Sequence, residues 1–165
     1  MVNQAKNILI TGATGFVGSY LTRFLVKKGF TNVVCLKRAT SRMDLVAEIV
    51  DKVTWVEGDI LDVPFLENIL RGHQIQQIYH CAAVVSFDPR DREEMYRINV
   101  IGTENVVNAA LEVGIEKLIY VSSIAAIGRV EREPWVRETN KWQRSPLNSH
   151  YAISKYQSEQ TWSGR

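Results

Sequence analysis

Cysteine is scarce in this chain: Cys35 and Cys81 are the only two among 165 residues. Both fall in short apolar runs that read as strands. They are expected to be buried, reduced thiols, as in a cytoplasmic protein, and no disulfide framework staples the fold. Histidine is almost as rare, and His73, His80 and His150 lack metal-ligand spacing, so no metal is expected. Charge of one sign is missing too. Twenty Lys and Arg are scattered among eighteen Asp and Glu, leaving +2, which gives no footprint for nucleic acid. No apolar stretch approaches the roughly 20 residues that cross a membrane. The opening MVNQAKNILI has one Lys and runs straight into a glycine turn, which is not a signal-peptide pattern. Repeats and low-complexity tracts are absent. What is there is ordinary globular material, 45% hydrophobic and 23% charged, long enough for one domain over residues 1–165 with its own core.

Strand-like and helix-like segments alternate along the chain. Short apolar runs at Asn7–Thr11, Asn32–Leu36, Val53–Glu57, Gln77–Cys81 and Lys117–Val121 predict five strands. Between them, apolar periodicity predicts helices over Phe16–Lys28, Met43–Val50, Val63–Arg71 and a long Asp91–Val113, with a last helix from near Ser149. Arg129–Ser149, rich in charge and holding Pro134, Trp135, Trp142 and Pro146, is too long for a plain connector and reads as a lid or mobile segment. Such alternation implies an α/β fold, a Rossmann-type doubly wound parallel sheet of strand order 3-2-1-4-5, with ligand at the carboxyl ends of the strands.

The first strand leads into Thr11-Gly12-Ala13-Thr14-Gly15-Phe16-Val17-Gly18. This GxxGxxG spacing departs from GxGxxG but keeps its physical roles. Gly12 permits the sharp exit from the strand, Gly15 lets backbone approach a pyrophosphate, and Gly18 lets helix and sheet pack. With Thr14, Phe16 and Val17 they form a turn whose free N–H groups and helix dipole suit the phosphates of a nicotinamide dinucleotide. After the second strand, where an NAD site places Asp or Glu, the chain has Lys37 and Arg38. A guanidinium can grip a 2′-phosphate that a carboxylate would repel, so the expected cofactor is NADP, with NAD disfavoured.

Tyr151 and Lys155 are four apart on the last helix, hence on one face. An ammonium that close favours phenolate, which suits Tyr151 to pass a proton to or from a hydroxyl or carbonyl. Ser122 and Ser123 end the fifth strand on the ligand-bearing edge, and alternation would aim one of them at the site. Phe87, Trp135 and Trp142 fit either a substrate-pocket wall or lid packing.

TGATGFVG, GDILD at 58–62, HCAA at 80–83, NVIGTENVVNAA at 99–110, YVSSIAAIG at 120–128 and YAISK at 151–155 together resemble the extended short-chain dehydrogenases/reductases. That group includes nucleotide-sugar epimerases and dehydratases and the dihydroflavonol-reductase-like enzymes. The resemblance implies that Asp59 and Ile60 flank the adenine, Ala82 and Ala83 line the dinucleotide, and Asn99 supports the nicotinamide side. It implies that Ser123 bonds the substrate oxygen, that Tyr151 is the general acid/base, and that Lys155 binds ribose hydroxyls. It also implies a homodimer through the 91–113 and 149–163 helices, to which Ile98, Ile101, Val106 and Val107 lend surplus apolar surface.

Ile127 stands where the sugar epimerases carry Tyr, which leans toward the reductase branch. The chain ends at Arg165, where extended members continue into further strands and a substrate subdomain, so the expected fold lacks those parts. The leading expectation is an NADP-dependent oxidoreductase acting on a small carbonyl or alcohol. Its alternatives are a nucleotide-sugar epimerase/dehydratase and a catalytically incompetent dinucleotide-binding fragment.

Overall fold

Five parallel strands form one sheet: β1 (Ile8–Thr11), β2 (Val33–Lys37), β3 (Thr54–Glu57), β4 (Gln77–His80) and β5 (Lys117–Tyr120). A computed structural model, which describes residues 6–129 and 135–161, pairs them in the order β3-β2-β1-β4-β5. Ile10 is in register with Cys35 on one side and Tyr79 on the other. All four residues of β1 are buried, whereas the edge strands β3 and β5 are partly exposed. A continuous apolar run suits a central parallel strand covered on both faces.

The chain divides into two compact units, the first made of residues up to Ala82 and Asn105–Val121, the second of Ala83–Glu104 and Ser122 onward. The first holds the sheet with α1 (Phe16–Lys27) and α2 (Val63–Gly72). Asp62 starts α2 by accepting the Phe65 N–H at 3.0 Å, with Pro64 in the first turn, where no backbone donor is needed. One core cluster joins Ile8, Ile10, Ala13, Leu25, Phe30, Val33 and Cys35, with Leu21, Trp55 and Tyr79 packed on it. Each such aliphatic side chain contributes about 1.5–3 kcal/mol by leaving water. Burial also pushes the Cys35 thiol up to about 12, which keeps it protonated and unreactive.

Three expectations shift in detail. The helix predicted over Met43–Val50 is a 3₁₀ helix, Asp44–Lys52, whose buried residues Val46 and Ile49 are three apart, the period of that tighter coil. The long helix keeps its course, yet α3 (Arg92–Met95) and α4 (Gly102–Val113) are joined by a π turn, Tyr96–Ile101, widened by one residue around the buried Asn99. Cys81 lies one residue beyond β4 and is half-buried, not sealed in a strand; neither cysteine is in a disulfide. Residues 135–149 are irregular, and 130–134 of the predicted lid lie outside the described residues. The last helix, α5, covers His150–Gln160 with Ser149 accepting the Ala152 N–H at 3.1 Å; its predicted continuation past 161 lies outside the described residues too. Among the described residues, no helix is long and apolar enough to cross a membrane.

Candidate functional site

The glycine turn leaves β1 at Gly12, whose φ of +66° is open to glycine at little cost. A Cβ there would sit 2.6 Å from the Ala82 nitrogen, because the chain leaving β4 passes directly beside it. A Cβ on Gly18 would meet the Gly12 carbonyl oxygen at 2.1 Å, so the start of α1 packs against the turn itself. The close approach expected of Gly18 is therefore real, but its partner is the turn and not the sheet. Gly15 is exposed, and its N–H donates to Gly12 O at 3.0 Å. Gly15 caps α1 without a side chain, so none answers the first-turn N–H groups. Thr14 is half-buried, and Phe16 and Val17 are exposed. This cradle of bare donors at a helix start fits a pyrophosphate.

Around it on the carboxyl edge of the sheet stand the other expected residues of the first unit. Lys37, at the end of β2, is already engaged: its ammonium meets the Glu57 carboxylate at 2.6 Å. No ion pair among the described residues involves Arg38, whose backbone N–H donates to Ser41 Oγ at 2.9 Å. Asp59 turns inward on its own loop, its carboxylate accepting the Leu61 N–H at 2.9 Å. Ile60 is buried, and its carbonyl accepts from the Asn105 amide at 3.2 Å. The sequence reading missed Thr11 and His80. Both are fully buried, with Thr11 Oγ1 2.6 Å from His80 Nδ1 and also accepting the Ala82 N–H at 3.3 Å. This pair ties the ends of β1 and β4 beside the glycine turn.

In the second unit, Asn99 is 1% exposed and its side chain makes three hydrogen bonds. Oδ1 accepts the Val84 N–H at 2.8 Å, while Nδ2 donates to Val84 O and to Ser154 Oγ, each at 2.9 Å. Asn99 thus clamps the stretch that follows Ala83 to helix α5. The Ser158 hydroxyl lies 2.6 Å from both Asn99 O and Ser154 O, one proton shared between two carbonyls, the first of them in the π turn. Ser154 and Ser158, one helical turn apart, were legible only as polar residues of α5.

Tyr151 and Lys155 share a face of α5, as their spacing requires. Tyr151 is half-buried, with the Phe87 ring edge-on at 6.4 Å. Lys155 is 1% exposed, the largest of the fully buried side chains, and it has bonding partners. Ser123 caps the short 3₁₀ helix Ile124–Ile127 by accepting the Ala125 N–H at 3.2 Å, which leaves its own proton to donate. Its neighbour Ser122 donates to the Glu159 carboxylate. Trp142 stacks on Tyr156 with centroids 4.1 Å apart, so it packs the stretch before α5, whereas Trp135 is exposed. The Arg90 guanidinium on Asp88 holds that carboxyl below its usual range and shapes the turn leading to α3. The described residues contain no group of His, Cys, Asp and Glu able to hold a metal.

With this geometry in view, the chain belongs to the NAD dependent epimerase/dehydratase family, whose model matches residues 8–163. It is 38% identical over 96% of its length to a Synechocystis protein provisionally named dihydroflavonol 4-reductase, of which it covers 45%. It is 31% identical over 95% of its length to the UDP-glucose 4-epimerase of Rhizobium meliloti, of which it covers 46%. Among solved structures, the Bordetella bronchiseptica enzyme WbmH in complex with NAD+ superposes with a TM-score of 0.80 at 30% identity, over 96% of this chain and 52% of that one. The chain therefore spans about half the length of the relatives it matches.

Replacing Asn99 with Ala would leave the Val84 N–H and carbonyl and the Ser154 hydroxyl short of partners, at an expected cost of about 2–4 kcal/mol. Denaturant unfolding of the chain measures it, and a change within roughly 0.5 kcal/mol, the range of an ordinary surface substitution, would contradict the clamp.

Proposed function

We propose that the chain carries the dinucleotide-binding and proton-transfer parts of an NADP-dependent oxidoreductase of the extended short-chain type, acting on a carbonyl or alcohol. The observation that carries this reading is Lys155, a lysine sealed from water one helical turn from Tyr151. Burying an ammonium is costly, and proteins accept that cost chiefly where the charge has a task. In this reading Lys155 holds ribose hydroxyls beside Tyr151. Tyr151 gives a proton to the carbonyl oxygen or takes one from the alcohol, and Ser123 uses its remaining donor to fix that oxygen. The turn of Gly12, Thr14, Gly15, Phe16, Val17 and Gly18 binds the phosphates. Asp59 and Ile60 border the adenine, Ala82 and Ala83 border the dinucleotide, and Asn99 holds the nicotinamide side indirectly by fixing the stretch after Ala83. A bound nicotinamide supplies or accepts the hydride. We place the protein in the cytoplasm, where thiols such as Cys35 and Cys81 stay reduced.

A second reading, a nucleotide-sugar epimerase or dehydratase using NAD, is favoured by the likeness to UDP-glucose 4-epimerase and to WbmH with NAD+. It also gains from the Lys37–Glu57 pair, which spends one of the two cations assigned to a 2′-phosphate. NADP preference then rests on Arg38. Arg38→Ala should weaken NADPH by the roughly 1.5–3 kcal/mol of a charge-assisted hydrogen bond and leave NADH nearly unchanged. Equal losses in fluorescence titrations of the two cofactors would turn the reading toward the second.

Tyr151→Phe removes only the transferable proton. In a protein of full family length carrying this chain, it should abolish NADPH-dependent reduction of aldehydes and ketones while cofactor affinity stays within about twofold. Substantial turnover by that variant would remove Tyr151 from its role.

A homodimer through the 91–113 helix and α5 belongs to the same reading, on a narrower footing than the sequence suggested. Ile98, Val106 and Val107 are buried within the chain, and Tyr96, Ile101 and Leu111 are the large hydrophobic residues that helix leaves exposed. Light scattering at micromolar concentration should give a dimer mass, and a clean monomer would reject it.

A further inference from the structure

Lys37 and Glu57 are the last residues of β2 and β3. They are partners in the parallel register, so their side chains leave the same face of the sheet at its carboxyl edge. The Lys37 ammonium donates to Glu57 Oε2 at 2.6 Å. One residue further on, the Gly58 N–H donates to the Lys37 carbonyl at 2.9 Å, and the Phe65 ring occupies the space that a Cβ on Gly58 would need. Backbone and ring together fix the strand end that carries the carboxylate.

A dinucleotide site places its ribose-binding carboxylate just after the second strand. In this chain that place belongs to Lys37 and Arg38, and a carboxylate stands level with it on the next strand, about 4.8 Å across the sheet. An anion there can accept from a ribose 2′-hydroxyl and opposes a 2′-phosphate. The Glu57 side chain is 56% exposed against 24% for Lys37, so an arriving ligand meets the carboxylate more than its counter-ion. The other cations after β2 are unequal. Arg42 is committed to Asp44 at 2.8 Å. Arg38 is in none of the ion pairs among the described residues, and a turn fixes its backbone: its N–H donates to Ser41 Oγ at 2.9 Å and its carbonyl accepts the Ser41 N–H at 3.0 Å.

We propose that Glu57 is the specificity-determining anion beside the adenosine ribose and that Lys37 is its counter-ion, not a ligand of the 2′-phosphate. The inference rests on the cofactor reading above and narrows it. Preference for NADPH is the Arg38 charge set against the Glu57 charge, with Lys37 cancelling most of the latter. Removing the Glu57 charge lifts the repulsion and releases Lys37; removing Lys37 leaves a bare carboxylate; removing both restores the original balance.

Fluorescence titrations of NADPH and NADH into the wild-type chain, E57Q, K37M, K37M/E57Q and R38A test it. Glutamine and methionine keep the side-chain length, and glutamine still accepts a hydrogen bond, so NADH affinity serves as the control for an intact site. The expected result is NADPH binding at least about fivefold tighter in E57Q, at least about fivefold weaker in K37M, and within about twofold of the wild type in K37M/E57Q, while NADH stays within about threefold throughout. A double variant as weak for NADPH as K37M makes Lys37 a direct phosphate ligand that Glu57 merely orients, and overturns the proposal. Unchanged or weaker NADPH binding in E57Q overturns it, and so do equal changes for the two cofactors, which make the pair a structural tie. Selective loss of NADPH in R38A alongside any of these outcomes removes the Glu57 assignment alone. Equal losses in R38A, or a wild type that binds neither cofactor, ends the cofactor reading and this inference with it.

Discussion

The closeness of two backbones at Gly12 is the constraint on which the first unit depends. The chain leaving β1 and the chain leaving β4 pass so near each other that a single added carbon would lie 2.6 Å from the Ala82 nitrogen. That proximity is possible because Gly12 has no side chain and takes a left-handed φ. From it follow the sharp entry into α1, the exposed donors of the helix start, and the placement of Ala82 beside the turn. The buried Thr11–His80 pair holds the same two strand ends from the other direction. The buried strand β1 leads into this turn, and a short run of backbone sets the turn's shape.

A different device organises the second unit. There the buried Asn99 spends both amide donors and its oxygen on Val84 and Ser154, and the π turn around it leaves a carbonyl for Ser158. Helix α5 is thereby fixed along the side that Tyr151 and Lys155 do not use. Both of those residues gain a rigid base, and a lysine can remain fully buried there. Phe87, Val85 and Ile124 stay exposed in this unit, with Phe87 beside Tyr151.

Much of this was legible in the sequence, and the reasons are local. The strand order, the glycine turn and the cap at Ser149 are written in short-range patterns of apolar runs, glycines and capping residues. The i, i+4 spacing of Tyr151 and Lys155 likewise needs no tertiary knowledge. Long-range pairing was not legible: nothing near Lys37 announces Glu57, twenty residues on, as its partner. Nor does anything near Asn99 announce Ser154, or near Trp142 the ring of Tyr156. The apolar surplus on the long helix misled for the same reason. Ile98, Val106 and Val107 looked spare when one buried face was counted, but the helix is buried on more than one side. The π turn also escaped, since one extra residue per turn shifts the apolar period too little to see over six residues.

The most direct measurement of the account is equilibrium binding of NADPH to the wild-type chain and to Gly12→Ala, alongside the unfolding midpoint of each. If the bare backbone at Gly12 makes the cradle, the variant should lose affinity by at least about a hundredfold, because the turn must open by more than hydrogen-bond distances tolerate. It should also be less stable, by the roughly 1–3 kcal/mol of an overpacked site. A Gly12→Ala chain that binds NADPH as the wild type does would contradict it.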